Sequence, residues 1–473
     1  MLEYLINLDR VSPIPLSSQI YRGLRTAIVT GRVREGEKLP SSRRLSSSLG
    51  VSRNTVNSAY ELLIAEELIL VCSGTAPVVR ARAGAFAVEG EPLPVAKAGR
   101  LSKRGQQYAC ASRYKPAGAR GELMRPGEPS KELFPYEQWA RSLRRAARMV
   151  KGGVLGYDHR QGLPELREVL ARYLAQERGV KAVAEQVFIF PSVQAAISLV
   201  AQCYSDPQDH ALMEDPGYLG ARDALQTSGL TMHGFNPSEG VKAAPRQAYS
   251  LIYVTPSHQF PLGMRMSMRQ REELVAFAAQ TGAMILEDDY DSEFLWEGRP
   301  LVSLQGLGQS DNIIYLGTAA KSLMPAIRLA YAVMPVGHLE ELRTAHQSMG
   351  MLGNVHAQAA LTHFIEEGYY RSHLRKIRGA YQTNAEILMS ALRGSLGNTV
   401  GFSKPVGGLQ MPLFLPEECN DVAIADNLNR AGFGVNPLSL HYLSAKKQGL
   451  VLGFSELNAP TAQTFVQHLK ALL

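Results

Sequence analysis

At 473 residues the chain exceeds one ordinary globular domain, so two or more are expected. Apolar residues make up 45% and charged residues 20%, a globular composition that excludes a largely disordered or fibrous protein. The net charge of +7 is uneven: residues 1–160 hold 26 Lys and Arg against 14 Asp and Glu, and the rest hold 24 against 29. A basic front on an acidic body suggests a polyanion partner, without saying whether DNA, RNA or lipid. No run of eighteen apolar residues occurs, so no membrane-spanning helix is expected. The opening MLEYLINLDRVS contains acids and lacks the charged-then-apolar order of a signal peptide. Cys72, Cys110, Cys203 and Cys419 lie far apart with no CxxC pair. That pattern predicts neither a disulfide framework nor a zinc site, and it fits a cytoplasmic protein.

Residues 10–80 carry dense helical periodicity. In SSQIYRGLRTAIVTG, Ile20, Leu24, Ala27 and Ile28 recur at helical spacing, with Gly31 as a stop. LPSSRRLSSSLG follows, with Pro40 and Ser41 as start signals and Leu45 and Leu49 one turn apart. After Gly50 a third helix faces Val56, Ala59 and Leu63 inward. LILVC, an SGT turn and PVVR then read as a two-stranded wing. Three short helices and a wing predict a winged helix-turn-helix whose third helix fits a major groove. Its first turn offers Ser52, Arg53, Asn54 and Thr55, groups suited to base edges and phosphates. A small helical dimerisation domain is the plainer alternative, but the polar cluster falls where a recognition helix reads DNA.

Residues 81–116 are rich in Ala, Gly, Lys, Arg and Pro without periodicity and read as a flexible linker. From 117 to 473, short apolar strands alternate with helical stretches: VFIF at 187–190, ALMED at 211–215, LIYVT at 251–255, AMILEDD at 283–289, NIIYLG at 312–317 and LAYAVM at 329–334. Such strands predict an α/β domain with a mainly parallel sheet covered on both faces.

The stretch YLGTAAKSLMPAIRLAYAVMP carries chemistry most clearly. Lys321 follows a buried strand, and desolvation there favours a free amine able to form a Schiff base with an aldehyde cofactor. Arg328 is a fixed cation suited to a phosphate, and Thr318 adds a hydroxyl. Upstream, LEDDYDSEF ends another strand, where a carboxylate can pair with a protonated pyridine nitrogen and Tyr290 can reach a ring oxygen. FIFPSVQAA opens a helix whose free N–H groups form an anion site, and Tyr218 in EDPGY can stack on a flat ring. Each piece alone is weak, because a lone lysine is usually solvated and an acidic pair usually ends a strand. Four pieces at the carboxyl ends of successive strands point to a ligand site.

The stretch LPSSRRLSSSLGVSRNTVNSAYELLIAEE resembles the GntR family of bacterial regulators, with Glu67 where that family usually has glycine. The resemblance implies that Arg43, Ser52, Arg53, Asn54 and Thr55 contact double-stranded DNA, with Ser73 and Gly74 at the wing tip. The order of motifs behind it is similar to fold-type I aminotransferases, which use pyridoxal 5′-phosphate (PLP). MRPGEPSKELFPYEQWARSL, TPSHQFPLG, EDDYDSEF and GTAAKSL behind a winged helix together resemble the MocR-type subfamily of GntR regulators. That resemblance implies Lys321 as the Schiff-base lysine, Asp288 as the pyridine-nitrogen partner, Tyr290 as the ring-oxygen donor and Tyr218 as the stacking ring. It implies Ser192, Val193, Gln194, Thr318 and Arg328 at the phosphate, with Tyr157 reaching from a neighbouring protomer.

Three departures from the pattern stand out. Phe260 replaces the asparagine that aminotransferases place at the ring oxygen, leaving His258 or Gln259 as stand-ins. Ala320 stands where relatives often carry a second phosphate-binding hydroxyl. In GLVLGFSEL, Val451 falls where an arginine commonly clamps a substrate carboxylate, and no arginine follows Arg430. A competing expectation is that another cation, such as Arg222 after the EDPGY turn, takes over the clamp from a different direction. The expected function is therefore a homodimeric, cytoplasmic regulator that senses an amine effector or PLP itself through an aldimine at Lys321. The rivals are an active aminotransferase with a DNA-binding appendage and a fold kept only as a dimerisation scaffold.

Overall fold

The computed structural model describes residues 6, 8–10, 12–71, 75–80, 99–109, 121–149, 159–307, 311–444 and 446–473. Contacts divide the chain into two units, Met1–Arg100 and Leu101–Leu473.

The first unit holds α1 (Leu16–Val29), α2 (Ser42–Leu49), α3 (Arg53–Ala65), β1 (Ile69–Leu70) and β2 (Val78–Val79). Ile20, Leu24 and Ile28 of α1, Leu45 of α2 and Val56, Ala59 and Leu63 of α3 are fully buried in one core. Each buried aliphatic side chain contributes roughly 1.5–3 kcal/mol, so this periodic set decides how the three helices meet. Ser41 and Ser52 start α2 and α3 by accepting from the N–H groups of Arg44 and Thr55 at 3.3 and 3.1 Å. Between those helices Gly50 turns the chain at φ +62°, a conformation that favours glycine. β1 and β2 pair antiparallel, Ile69 opposite Val79, as the expected wing. Glu67, at φ +57°, makes the turn into β1.

The second unit begins with α4 (Lys103–Ala109), a seven-residue helix with no buried residue inside the stretch read as a linker. Then come α5 (Tyr136–Ala147), α6 (Pro164–Arg178), β3 (Val187–Phe190), α7 (Val193–Tyr204), β4 (His210–Glu214), α8 (Leu219–Thr227) and β5 (Thr231–Phe235). They are followed by β6 (Leu251–Val254), α9 (Met268–Thr281), β7 (Met284–Asp289), α10 (Leu304–Leu307), β8 (Ile313–Thr318) and β9 (Ala330–Val333). These strands form one sheet in the order β3-β9-β8-β7-β6-β4-β5. Pairings are parallel from β5 through β8, whereas β9 runs antiparallel to both neighbours. The loop from Ala319 to Leu329 is too short for a parallel crossover, which reverses β9. Alternation covers both faces: Phe188 and Phe190 enter one core and Val187 and Ile189 the other.

The chain continues through α11 (Leu339–Ser348), α12 (Val355–Glu366) and the 28-residue α13 (Tyr369–Leu396). β10 (Gly401–Phe402), β11 (Gln410–Phe414), α14 (Asp421–Arg430), β12 (Asn436–Pro437), β13 (Gly449–Gly453) and α15 (Ala459–Lys470) complete it. The last strands form an antiparallel sheet, β10-β11-β13-β12, which the strand reading did not anticipate. Among the described residues no helix is long and apolar enough to cross a membrane.

Candidate functional site

The carboxyl ends of β3, β4, β6, β7 and β8 share one edge of the large sheet, and a cavity of about 160 Å³ opens there. Nine of the expected residues line it: Ser192, Val193, Gln194, Tyr218, Asp288, Tyr290, Thr318, Lys321 and Arg328. Tyr157 lies outside the described residues. Strand alternation decides which acid of the Glu287-Asp288-Asp289 run serves the cavity. Asp288 lines it, while Glu287 accepts from the N–H groups of Leu304 and Gln305, and Asp289 from Arg178 and the Tyr315 hydroxyl.

Asp288 accepts a 2.6 Å hydrogen bond from the Tyr253 hydroxyl on one oxygen, and its other oxygen, buried, has no partner. Burial pushes this carboxyl up to about 7, against the opposing pull of Tyr253. A buried carboxylate with a vacant lone pair calls for a cationic donor, and a protonated pyridine nitrogen is one. Lys321, half-buried, donates to the Gly127 carbonyl at 2.7 Å. Gly127 has φ +71°, which favours glycine, and a Cβ there would stand 2.7 Å from the Lys321 nitrogen, so a side chain at this position would displace the amine.

Ser192 caps α7 by accepting from the Ala195 N–H at 3.2 Å, which leaves the first N–H groups of that helix at the cavity. Thr318 receives the Ala320 N–H at 3.1 Å, and Arg328 is held at φ +54°. An arginine in that left-handed conformation carries backbone strain of about 1–2 kcal/mol, a cost that recurs where function fixes a side chain. Tyr218 bonds the Gln194 amide and meets the Phe260 ring edge-on at 5.4 Å. The groups expected at the phosphate, the ring and the aldehyde thus converge on one volume.

Several expectations need correction. Neither His258 nor Gln259 lines the cavity; Phe260 does. His258 pairs with Asp291 at 2.7 Å one layer back and meets the Tyr290 hydroxyl at 3.3 Å. Burial disfavours the charged His258 ring, but Asp291 outweighs burial and raises its pKa. Gln259 donates to the carbonyls of Pro216 and Phe260 and braces its own loop. Arg222 is not a clamp facing the cavity either, because its guanidinium donates to the carbonyls of Leu440 and Tyr442 at 3.1 and 3.4 Å. Val451, the residue expected at the clamp position, is fully buried with Leu438 and Tyr442. The sequence reading missed Tyr253, Thr255, Gly127 and Gln410, which also line the cavity. A tyrosine inside the apolar run LIYVT was a signal for the first; nothing local marked Gln410.

In the first unit, Arg43, Ser52, Arg53 and Asn54 are exposed and Thr55 is half-exposed. Arg53 Nε donates to the Ser42 hydroxyl at 3.3 Å, and the Ser52 and Thr55 hydroxyls lie 2.8 Å apart. Ser52, Arg53, Asn54 and Thr55 form the start of α3, where a recognition helix reads DNA, and Arg43 lies on α2. Ser73 and Gly74 lie outside the described residues.

Residues 127–440 match the family described as aminotransferase class I and II, and residues 16–79 match the bacterial regulatory proteins of the gntR family. The chain is 32% identical to the probable rhizopine catabolism regulatory protein MocR of Rhizobium meliloti, over 98% of this chain and 95% of that one. It is 28% identical to the pyridoxine biosynthesis transcriptional regulator PdxR of Corynebacterium glutamicum, over 96% and 95%. Among solved structures, the α-aminoadipate aminotransferase LysN of Thermus thermophilus, complexed with N-(5′-phosphopyridoxyl)-L-leucine, superposes with a TM-score of 0.69 at 23% identity, covering 77% of this chain and 97% of LysN. The aminotransferase family match and the Asp288–Lys321 cavity make PLP the cofactor. With a gntR-type winged helix ahead of an aminotransferase class I and II fold, this chain belongs to the MocR-type subfamily of GntR-family transcriptional regulators.

Proposed function

We propose that the large unit holds PLP as a sensor, and that its occupancy controls binding of the winged helix to operator DNA. The observation that carries this reading is the buried, half-satisfied Asp288 carboxylate in the same cavity as Lys321. When bound, PLP supplies an aldehyde that condenses reversibly with primary amines.

The chain's own residues do the rest. Asp288 holds the proton on the pyridine nitrogen, and Tyr253 orients that carboxylate. Tyr290 donates to the ring oxygen, and Tyr218 offers a ring for stacking. Ser192, the N–H groups of Val193 and Gln194, Thr318 and Arg328 bind the phosphate, joined by Tyr157 from a second protomer of a homodimer. Lys321 supplies the amine that an effector amine replaces; PLP uptake alone is the other signal. Arg43, Ser52, Arg53, Asn54, Thr55, Ser73 and Gly74 contact double-stranded DNA. Coupling between the sites requires that effector and DNA each favour the same state of a protein working in the cytoplasm.

Purified protein loaded with PLP should be yellow, and borohydride should fix the cofactor on the peptide containing Lys321. Lys321→Ala should abolish the visible band, and a protein that takes up no added PLP overturns the sensor reading. A second reading, an aminotransferase with a DNA-binding appendage, is favoured by Lys321, Asp288 and Tyr290 lining one cavity. Val451 opposes it: an apolar cluster at the clamp position removes the bidentate hold on a substrate carboxylate. Sustained conversion of an amino acid and a keto acid would restore that second reading.

A further inference from the structure

Gln410 opens β11 with a side chain only 2% exposed, and it lines the cavity. Neither its amide nitrogen nor its amide oxygen has a hydrogen-bond partner. A buried amide unsatisfied at both ends is costly, so in a ligand cavity it marks a contact that the ligand completes. Its place is specific. A Cβ on Gly127 would lie 2.7 Å from the Lys321 nitrogen and 3.5 Å from Gln410 Oε1, so the amide stands beside the reactive amine. Any amine that takes the place of Lys321 enters the cavity that Gln410 lines.

The surroundings decide what those substituents are. Among the described residues lining the cavity, the cations are Lys321 and Arg328, assigned above to the aldehyde and the phosphate. Val451 is apolar, and Arg222 is engaged by two carbonyls. A carboxylate placed beside Gln410 accepts from Nε2 but has no hydrogen to give Oε1, and it lacks a cation to offset its desolvation. A hydroxyl or carboxamide both gives and accepts a hydrogen bond, as the glutamine amide does.

We propose that Gln410 is the specificity-determining residue of the effector site, and that the effector is a primary amine bearing a neutral hydroxyl or carboxamide, not an α-carboxylate, next to the amine-bearing carbon. This inference rests on the sensor reading above. A site built to hydrogen-bond a polar group discriminates strongly against analogues lacking it, because its own group is then left unpaired.

The test is calorimetric titration of the PLP-loaded full chain with four probes of one skeleton: alaninol, alaninamide, alanine and isopropylamine. Alaninol and alaninamide should bind at least tenfold more tightly than alanine or isopropylamine. Gln410→Met, similar in length and apolar, should bring both down to the isopropylamine level and leave isopropylamine unchanged. Gln410→Glu, which keeps the shape should the methionine variant fail to fold, should hold alaninol within a few-fold and weaken alanine at least tenfold further. Tightest binding of alanine by the wild type overturns the inference. So does a Gln410→Met variant that weakens all four probes equally, or a Gln410→Glu variant that leaves alanine unaffected. A chain that takes up no PLP overturns the sensor reading and this inference together; a PLP-loaded chain without the preference overturns this inference alone.

Discussion

Asp288 shows how one residue ties stability to ligand binding. Its carboxyl is raised from 3.8 to about 7 by burial, so the folded protein without cofactor holds a proton that the unfolded chain releases. The stability this contributes is fully present below about 3.8 and is lost as pH rises through about 7. In the cofactor-free protein, Asp288→Asn should therefore gain on the wild type as pH climbs from about 4 to about 7. The gap should be on the order of 4 kcal/mol at most, because each tenfold change in proton affinity is worth about 1.4 kcal/mol. Adding PLP should reverse the order, because a pyridinium forms an ion pair with the wild-type carboxylate that the neutral amide does not form. Thermal melts at pH 5 and 8, with and without PLP, check both signs; an Asn variant that gains as much from PLP as the wild type would remove Asp288 from the cofactor.

At the scale of elements, α3 is the part whose local signals and fold agree best. Ser52 starts it, Val56, Ala59 and Leu63 bury one face, and the exposed start carries Arg53 and Asn54. Ser52→Ala should cost about 1 kcal/mol of stability in the first unit, read by its melting temperature, because the Thr55 N–H loses its cap. Arg53→Ala should weaken operator binding by about 1–3 kcal/mol if its guanidinium reads a base edge. Arg43→Ala, at a phosphate, should weaken specific and non-specific DNA alike and lower the salt slope by about one. Operator titrations at several salt concentrations separate the two roles, and wild-type binding by both variants would remove α2 and α3 from the interface. The Glu67 departure has a structural side: φ is +57° there, so the residue sits in the conformation that glycine adopts freely. Glu67→Gly should relieve about 1 kcal/mol of backbone strain, offset in part by the freer unfolded chain, and leave PLP binding untouched.

Across the whole molecule, two compact units carry two chemistries on one chain. Arg53→Ala and Arg43→Ala should leave the visible spectrum of the PLP-loaded protein unchanged, since neither residue belongs to the unit that holds the cavity. An effector amine should change operator affinity in the wild type and leave it unchanged in Lys321→Ala. Gel-shift titrations with and without the amine measure this, and an equal response in both proteins would place sensing elsewhere.

Local pattern was enough for what depends on near neighbours in sequence. Helical periodicity in residues 16–65 and apolar runs in the large unit drew the winged helix and six of the seven strands of the main sheet; β5, TMHGF, lacks a continuous apolar run and escaped notice. That Lys321, Asp288 and Tyr290 line one cavity was legible because each follows or ends a strand, where α/β sheets present ligands. What depends on distant partners was not legible. Arg222 reads as a spare cation until the carbonyls of Leu440 and Tyr442 are found on it, more than two hundred residues away. His258 reads as a ring-oxygen donor until Asp291 claims it from behind. Gln410 reads as one polar residue in GGLQMPLF, and only tertiary packing, which brings β11 against Gly127 and Lys321, turns it into a buried amide waiting for a ligand. The physical reason is common to all three: periodicity encodes which way a side chain points along its own element, whereas the partner that consumes or spares its hydrogen bonds comes from another part of the chain.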